Sequence, residues 1–255
     1  MPTTPQKSDF PSHLTLTITP PTPTLSPPKA PPNILLLLHG LGDTSQNFTP
    51  LARSLNLPET LVLTIQAPLP LPFDLGGFHW GDDVTFSPAG DLDMDAGFTR
   101  SSRVLVQEVI LDTLVKKCGY RVRDICVFGL GQGGMAGLEA ARGLRKMGEE
   151  ALGGVVSVGG AVALGLPSGG STAAAGSGKS RTPVLVVGGR EDSSAVNEAG
   201  VRRTKEWFEF VEVHRYARRG DGMPRSREEM FPVMAFLARR LRSWKGVPEG
   251  SVEIS

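Results

Sequence analysis

The chain has 255 residues, 40% of them apolar, and its 27 basic and 26 acidic side chains leave a formal net charge of +1. That length suits one large α/β domain or two small ones, and the charge balance excludes the electrostatic footprint of a nucleic-acid or membrane-surface binder. The two cysteines, Cys118 and Cys126, exclude a disulfide framework and fit a reducing, cytoplasmic compartment.

Residues 1–33 are rich in Pro, Thr and Ser, and most of this stretch reads as tail or linker because proline removes backbone donors. Within it, His13-Leu14-Thr15-Leu16-Thr17-Ile18-Thr19 alternates with period two and predicts a half-buried edge strand. The globular domain is expected over 34–244, with a tail at 245–255. Neither an apolar leader nor an apolar run long enough to span a bilayer is apparent, so no secretory signal or integral membrane segment is expected. Ile34-Leu35-Leu36-Leu37-Leu38 is a continuous apolar run that suits a strand covered on both faces. A helix carrying Phe48, Leu51, Ala52 and Leu55 follows, with Thr44 or Ser45 as its cap, and then a strand at 61–65. Residues 69–99 are irregular, and the patch Phe78-His79-Trp80 predicts a pocket wall, although His79 by itself reads as an exposed loop residue. Asp82 and Asp83 are expected to cap or solvate that loop. Val104, Leu105, Val109, Ile110 and Leu114 mark an amphipathic helix from about 99 to 117.

Further strands are predicted at 125–128, 154–160, 183–187 and 211–216, with helices at 135–146, around Val201 and Trp207, and at 227–244. Residues 166–182 are a flexible Gly/Ser/Ala loop by composition. Arg239, Arg240 and Arg242 are placed to complement the dipole of the last helix. Strands alternating with helices imply βαβ units, a mostly parallel central sheet with helices on both faces, and ligand sites at the C-terminal strand edges. Glycine-bearing turns follow Leu38, Phe128 and Val187, and another turn follows Tyr216.

The most informative stretch is Ile125-Cys126-Val127-Phe128-Gly129-Leu130-Gly131-Gln132-Gly133-Gly134, an apolar strand, a glycine burst and then a helical pattern. This is the frame of a nucleophile elbow, G-x-S-x-G, with its outer glycines present and glycine at its centre. Together with His39-Gly40-Leu41-Gly42-Asp43-Thr44, the segment 183–192 and Gly220-Asp221-Gly222-Met223-Pro224, it resembles the phospholipase/carboxylesterase family of α/β-hydrolases, which includes the acyl-protein thioesterases. The resemblance covers about 34–243 and implies the α/β-hydrolase fold. It places the family's nucleophile at Gly131, its acid at Asp192 and its base at Asp221, with backbone oxyanion donors at Leu41 and Gln132. Only the acid keeps its residue type.

Covalent acyl transfer needs an activated nucleophile and a base within reach. Glycine supplies no nucleophile, and a carboxylate of reference pKa about 4 is a poor base for a hydroxyl. The resemblance therefore implies a hydrolase-like protein whose catalysis is lost or impaired, with a pocket that suits an acyl or small carboxyl ligand, or a protein partner. A working esterase or acyl thioesterase with a non-standard nucleophile is the alternative, and a structural or scaffolding subunit is the next. Ser157 reads as strand packing, Ser193 and Ser194 as caps of the next helix, His39 as structural, and His13 and His214 as surface positions. Arg190, Arg218 and Arg219 are expected to form a salt-bridged cluster with Asp192 and Asp221. No metal-ligand spacing and no cofactor signature is recognised.

Overall fold

The computed structural model describes residues 2–22, 30–73, 75–84, 86, 90, 95, 97–164, 178–190 and 194–244. Asp192, Ser193, the stretch 166–177 and the tail 245–255 lie outside the described residues.

The centre is a seven-stranded sheet formed by β1 (Leu16–Thr19), β2 (Asn33–Leu38), β3 (Thr60–Ile65), β6 (Ile125–Leu130), β7 (Gly154–Val158), β8 (Val184–Gly188) and β9 (Val211–Arg215). The spatial order is β1-β3-β2-β6-β7-β8-β9, parallel throughout except for antiparallel β1 at one edge. This is the α/β-hydrolase architecture anticipated from the resemblance. Strand β2 has no polar face: Ile34 through Leu38 are wholly buried. The pleat sends Ile34, Leu36 and Leu38 to one core and Leu35 and Leu37 to the other. Full burial of each side chain contributes about 1.5–3 kcal/mol, so this strand anchors both layers.

One layer is built on α1 (Ser45–Leu55) and α5 (Arg227–Ala238), whose Phe48, Ala52, Leu55, Val233, Phe236 and Leu237 meet the Leu35 side. Thr44 caps α1, its Oγ1 accepting from Asn47 N at 3.1 Å. The other layer holds α3 (Gln132–Lys146), α4 (Glu198–Trp207) and a helix that begins as α2 (Thr99–Arg103) and continues as a π-helix, Val104–Lys117. The π-helical winding matches the buried positions Leu105, Val109, Ile110, Leu114 and Cys118, whose spacing exceeds the α-helical repeat.

Four expectations need correction. Much of the N-terminal segment is packed rather than tail: Phe10, Leu14 and Leu16 enter the core, and Thr3 N donates to the Cys118 carbonyl at 2.9 Å. The apolar members of the alternating stretch overcome the local prolines. Residues 178–182 are held in place, because Ser180 pairs with Trp207 and Glu209 and the Thr182 hydroxyl accepts from Leu152 N. The last helix stops at Ala238, since residues 242–244 are drawn off by Asn33 and Glu59. The three arginines near its end find side-chain partners instead of the dipole: Arg239 pairs with Glu212, Arg240 lies by the Phe236 ring and Arg242 pairs with Asp124.

Candidate active site

From β2 the chain first adds β3 on one side and later β6 on the other. The carboxyl ends of β2 and β6 therefore flank a topological switch point, where open α/β sheets bind their ligands. Both ends carry glycine turns, His39-Gly40-Leu41 and Gly129-Leu130-Gly131. They meet through backbone. A Cβ on Gly133 would stand 2.4 Å from the His39 carbonyl oxygen, and one on Gly129 would stand 2.4 Å from Gly133 and Gly134. Glycine at these positions lets the first turn of α3 lie directly against both strands. That contact brings the Leu41 and Gln132 backbones to the same edge.

Gly131 occupies the bend itself, with φ 51° and ψ −117°, and it gives α3 no side-chain cap. Its N–H donates to the Val158 carbonyl at 2.7 Å, which ties the bend to the end of β7. Gln132 is buried, and its Oε1 accepts from Trp80 N at 2.7 Å.

His39 organises the floor. It is fully buried; Nδ1–H donates to the Gly40 carbonyl at 2.8 Å, and Nε2 accepts from Ala67 N–H at 3.0 Å. With both ring nitrogens engaged in this way the imidazole is neutral, and burial pushes its pKa below the usual histidine value. The Trp80 indole lies 5.5 Å from the His39 ring and donates to the His39 carbonyl at 2.9 Å.

The aromatic patch packs into the sheet edge beside the turn after β2. Phe78 and His79 form β5 (Phe78–His79), paired with β4 (Leu69–Pro70). Phe78 exchanges backbone hydrogen bonds with Gly42 and Asp43. Trp80 is entirely buried beneath them, and His79 is only 4% exposed rather than a surface loop residue. Burial likewise lowers the His79 pKa. Neighbouring Asp82 accepts from Thr99 N and Arg100 N, both at 2.7 Å, and so caps α2, while Asp83 accepts from Val84 N.

Asp221 sits across the Gly159-Gly160 turn from Gly131. A Cβ on Gly159 would stand 2.7 Å from the Asp221 Cβ, and one on Gly160 would stand 2.6 Å from the Gly131 carbonyl oxygen. The structure thus brings Gly131 and Asp221, two of the three positions that the resemblance assigns, to the same turn; Asp192 lies outside the described residues. The expected arginine cluster around Asp221 is replaced by neutral donors. Asp221 Oδ1 accepts from Gly189 N at 2.7 Å and from Ser194 Oγ at 2.6 Å, and Oδ2 accepts from Ala195 N at 2.8 Å. Arg218 turns instead to Glu229 at 2.9 Å, stacks 4.4 Å from the Tyr216 ring and donates to the carbonyls of Gly222 and Met223.

Ser194 does not cap α4. That place belongs to Asn197, which accepts from Gly200 N, whereas the Ser194 hydroxyl closes its own turn by accepting from Val196 N. Ser157 is buried and donates to the Gly160 carbonyl. His13 is exposed beside Glu108, and half-buried His214 meets the Tyr216 ring edge-on. The Gln132–Trp80 link and the donors to Asp221 were not foreseen. The doubled glycine after β7 marks only the close approach of Asp221 and Gly131.

The family model for Phospholipase/Carboxylesterase proteins matches residues 22–238. The chain belongs to this phospholipase/carboxylesterase family. Several solved structures share the architecture. An esterase named PE8 aligns with TM-score 0.67 at 20% identity, covering 89% of this chain and 99% of that one. Acyl-protein thioesterase 2 of Zea mays gives 0.60 at 21% identity over the same shares. SOBER1 of Arabidopsis thaliana gives 0.62 at 23% identity, over 82% of this chain and 99% of its own. Among curated sequences, an uncharacterized hydrolase of Mycosarcoma maydis is 41% identical over 130 residues, 49% of this chain and 48% of the relative. One of Schizosaccharomyces pombe is 34% identical over 136 residues, 52% and 54% of the two chains. The matched region thus spans about half the length of these curated relatives.

Proposed function

We propose that this phospholipase/carboxylesterase family member is a chemically silent hydrolase that retains a binding site for an acyl or carboxyl group at the β2–β6 edge. The observation that carries this reading is the bend at Gly131. It has the backbone form that would present a nucleophile, and no atom to present. Asp221 supports it: both carboxylate oxygens accept from Gly189, Ser194 and Ala195, an arrangement that holds a loop rather than accepting a proton from a hydroxyl at 131. The backbones of Leu41 and Gln132 survive any side-chain change, so a polarised carbonyl or carboxylate oxygen still has donors to meet.

A working esterase with another nucleophile would draw on Ser194, whose hydroxyl donates to Asp221. Its Oγ also accepts from Val196 N, and the residue is only 4% exposed. That geometry disfavours attack on a substrate.

The test is hydrolysis of p-nitrophenyl acetate and a short acyl thioester by the purified chain. Rates equal to buffer, with no labelling by a fluorophosphonate, are expected. Turnover that a fluorophosphonate abolishes would overturn the reading. The double variant Gly131→Ser/Asp221→His is expected to regain measurable turnover, because it restores the nucleophile and base that the family resemblance assigns to these positions.

A further inference from the structure

The opposite end of the sheet carries a concavity about 860 Å³ in volume, within the range of small-molecule sites. It opens beneath the N-terminal ends of β7, β8 and β9, where Ala151, Pro183 and Phe210 precede those strands. Its far wall is the C-terminal end of α3, the helix whose first residue follows Gly131.

The charges here do not cancel. Two of the lining acids are matched: Glu209 pairs with Arg181 at 3.8 Å, and Glu150 pairs with Arg123 at 3.7 Å. Arg145, Lys179 and Arg240 remain, with Glu149 as the one lining acid left over. Among the described residues no carboxylate lies within ion-pair distance of these three cations. Arg240 is the most telling. Its Nε is buried and has no hydrogen-bond partner, and a buried charged donor left unsatisfied is costly. Arg145 approaches the same edge from α3, with its Nη2 3.1 Å from where a Cβ on Gly178 would stand, next to Lys179. Beside this basic group Phe210 is 47% exposed, an apolar ring at the rim of a charged cavity.

We propose that this cavity is a binding site for a small organic phosphate that carries a flat apolar group. Cations from three separate segments suit a multi-oxygen dianion better than a single carboxylate, since guanidinium groups donate in forks that match phosphate. Phe210 and Pro183 supply the surface on which the apolar part rests. The site is independent of the chemistry at the elbow.

Isothermal titration of the full chain with phenyl phosphate, inorganic phosphate and phenol tests this. Phenyl phosphate is expected to bind saturably and more tightly than either fragment, and to weaken as salt is added. Lys179→Glu and Arg145→Ala are each expected to reduce its affinity by about tenfold. Phe210→Ala is expected to remove the preference over inorganic phosphate. Lys179 and Phe210 are exposed, so these two variants keep the fold, and an unchanged melting temperature checks it. Gly131→Ser is expected to leave phenyl phosphate binding as it was. No saturable binding, or binding that is indifferent to Lys179→Glu and Phe210→Ala, overturns the proposal.

Discussion

Gly131 holds φ 51° and ψ −117°, a conformation that costs a residue with a Cβ about 1–3 kcal/mol. Glycine adopts it without that cost. Gly131→Ala is therefore expected to lower unfolding stability by about that amount, read as a drop in the urea midpoint with an unchanged m-value. A second residue-scale effect concerns protons. His39 and His79 are buried, and desolvation lowers both pKa values. A histidine whose folded pKa lies below its unfolded value binds more protons unfolded than folded in the window between the two. Stability then rises with pH across that window and is lost as pH falls below about 6.5. The urea midpoint is expected to fall between pH 7 and pH 5, and His39→Gln is expected to flatten part of that fall. A slope unchanged by the substitution would show that His39 does not titrate there. The roles of His39 and His79 were unequally legible. A histidine after a buried strand reads as structural, but nothing local shows that His79 is covered, because its cover comes from the fold.

At the scale of elements, Asp82 does for α2 what a capping side chain usually does from the adjacent position, although it lies 17 residues upstream of Thr99. Asp82→Ala removes the acceptor of two first-turn N–H groups and is expected to cost about 1–2 kcal/mol. Circular dichroism on the unfolded-to-folded transition measures the loss. Asp82→Asn, which keeps one acceptor oxygen, is expected to lose less. The hydrogen bonds from Thr99 and Arg100 outweigh burial and hold the Asp82 carboxyl below its usual pKa, so the cap persists until pH falls through that lowered value. The helix it starts was visible in the sequence as an apolar repeat, but its winding was not. Val104, Leu105, Val109, Ile110 and Leu114 fit an α-helical face loosely and a π-helical face well, and the wider choice is made by packing against the sheet. The inner parallel strands were legible, because strands buried on both faces leave continuous apolar runs, whereas β9 at the sheet edge is partly exposed.

Across the whole molecule, what the sequence could not convey is which distant groups meet. The donors to Asp221 come from 26 to 32 residues away, and the glycines that admit them are recognisable only once β7 and β8 lie side by side. The same holds for the closure of the domain. Asn33, at the start of β2, is 1% exposed and makes three hydrogen bonds: Nδ2 donates to the carbonyls of Glu59 and Arg242, and Oδ1 accepts from Arg242 N at 2.7 Å. Glu59, held at φ 51°, accepts from Ser243 Oγ and from Trp244 N. Arg242 also reaches Asp124, just before β6, at 2.8 Å. This clasp explains why the last helix yields at Ala238: residues 242–244 satisfy their backbone on buried polar groups of the sheet edge instead of on a further helical turn. Asn33→Ala would strand two carbonyls and one N–H in a dry site, at an expected cost of about 2–3 kcal/mol. The loss should appear equally in urea midpoint and in tryptophan emission, because Trp244 sits in the clasp and donates its indole N–H to Ala30 O at 3.4 Å. Asn33→Asp keeps the acceptor and loses both donors, so it is expected to fall between the parent and Asn33→Ala. A parent-like midpoint for Asn33→Ala would show that the clasp is a consequence of packing rather than a contributor to it.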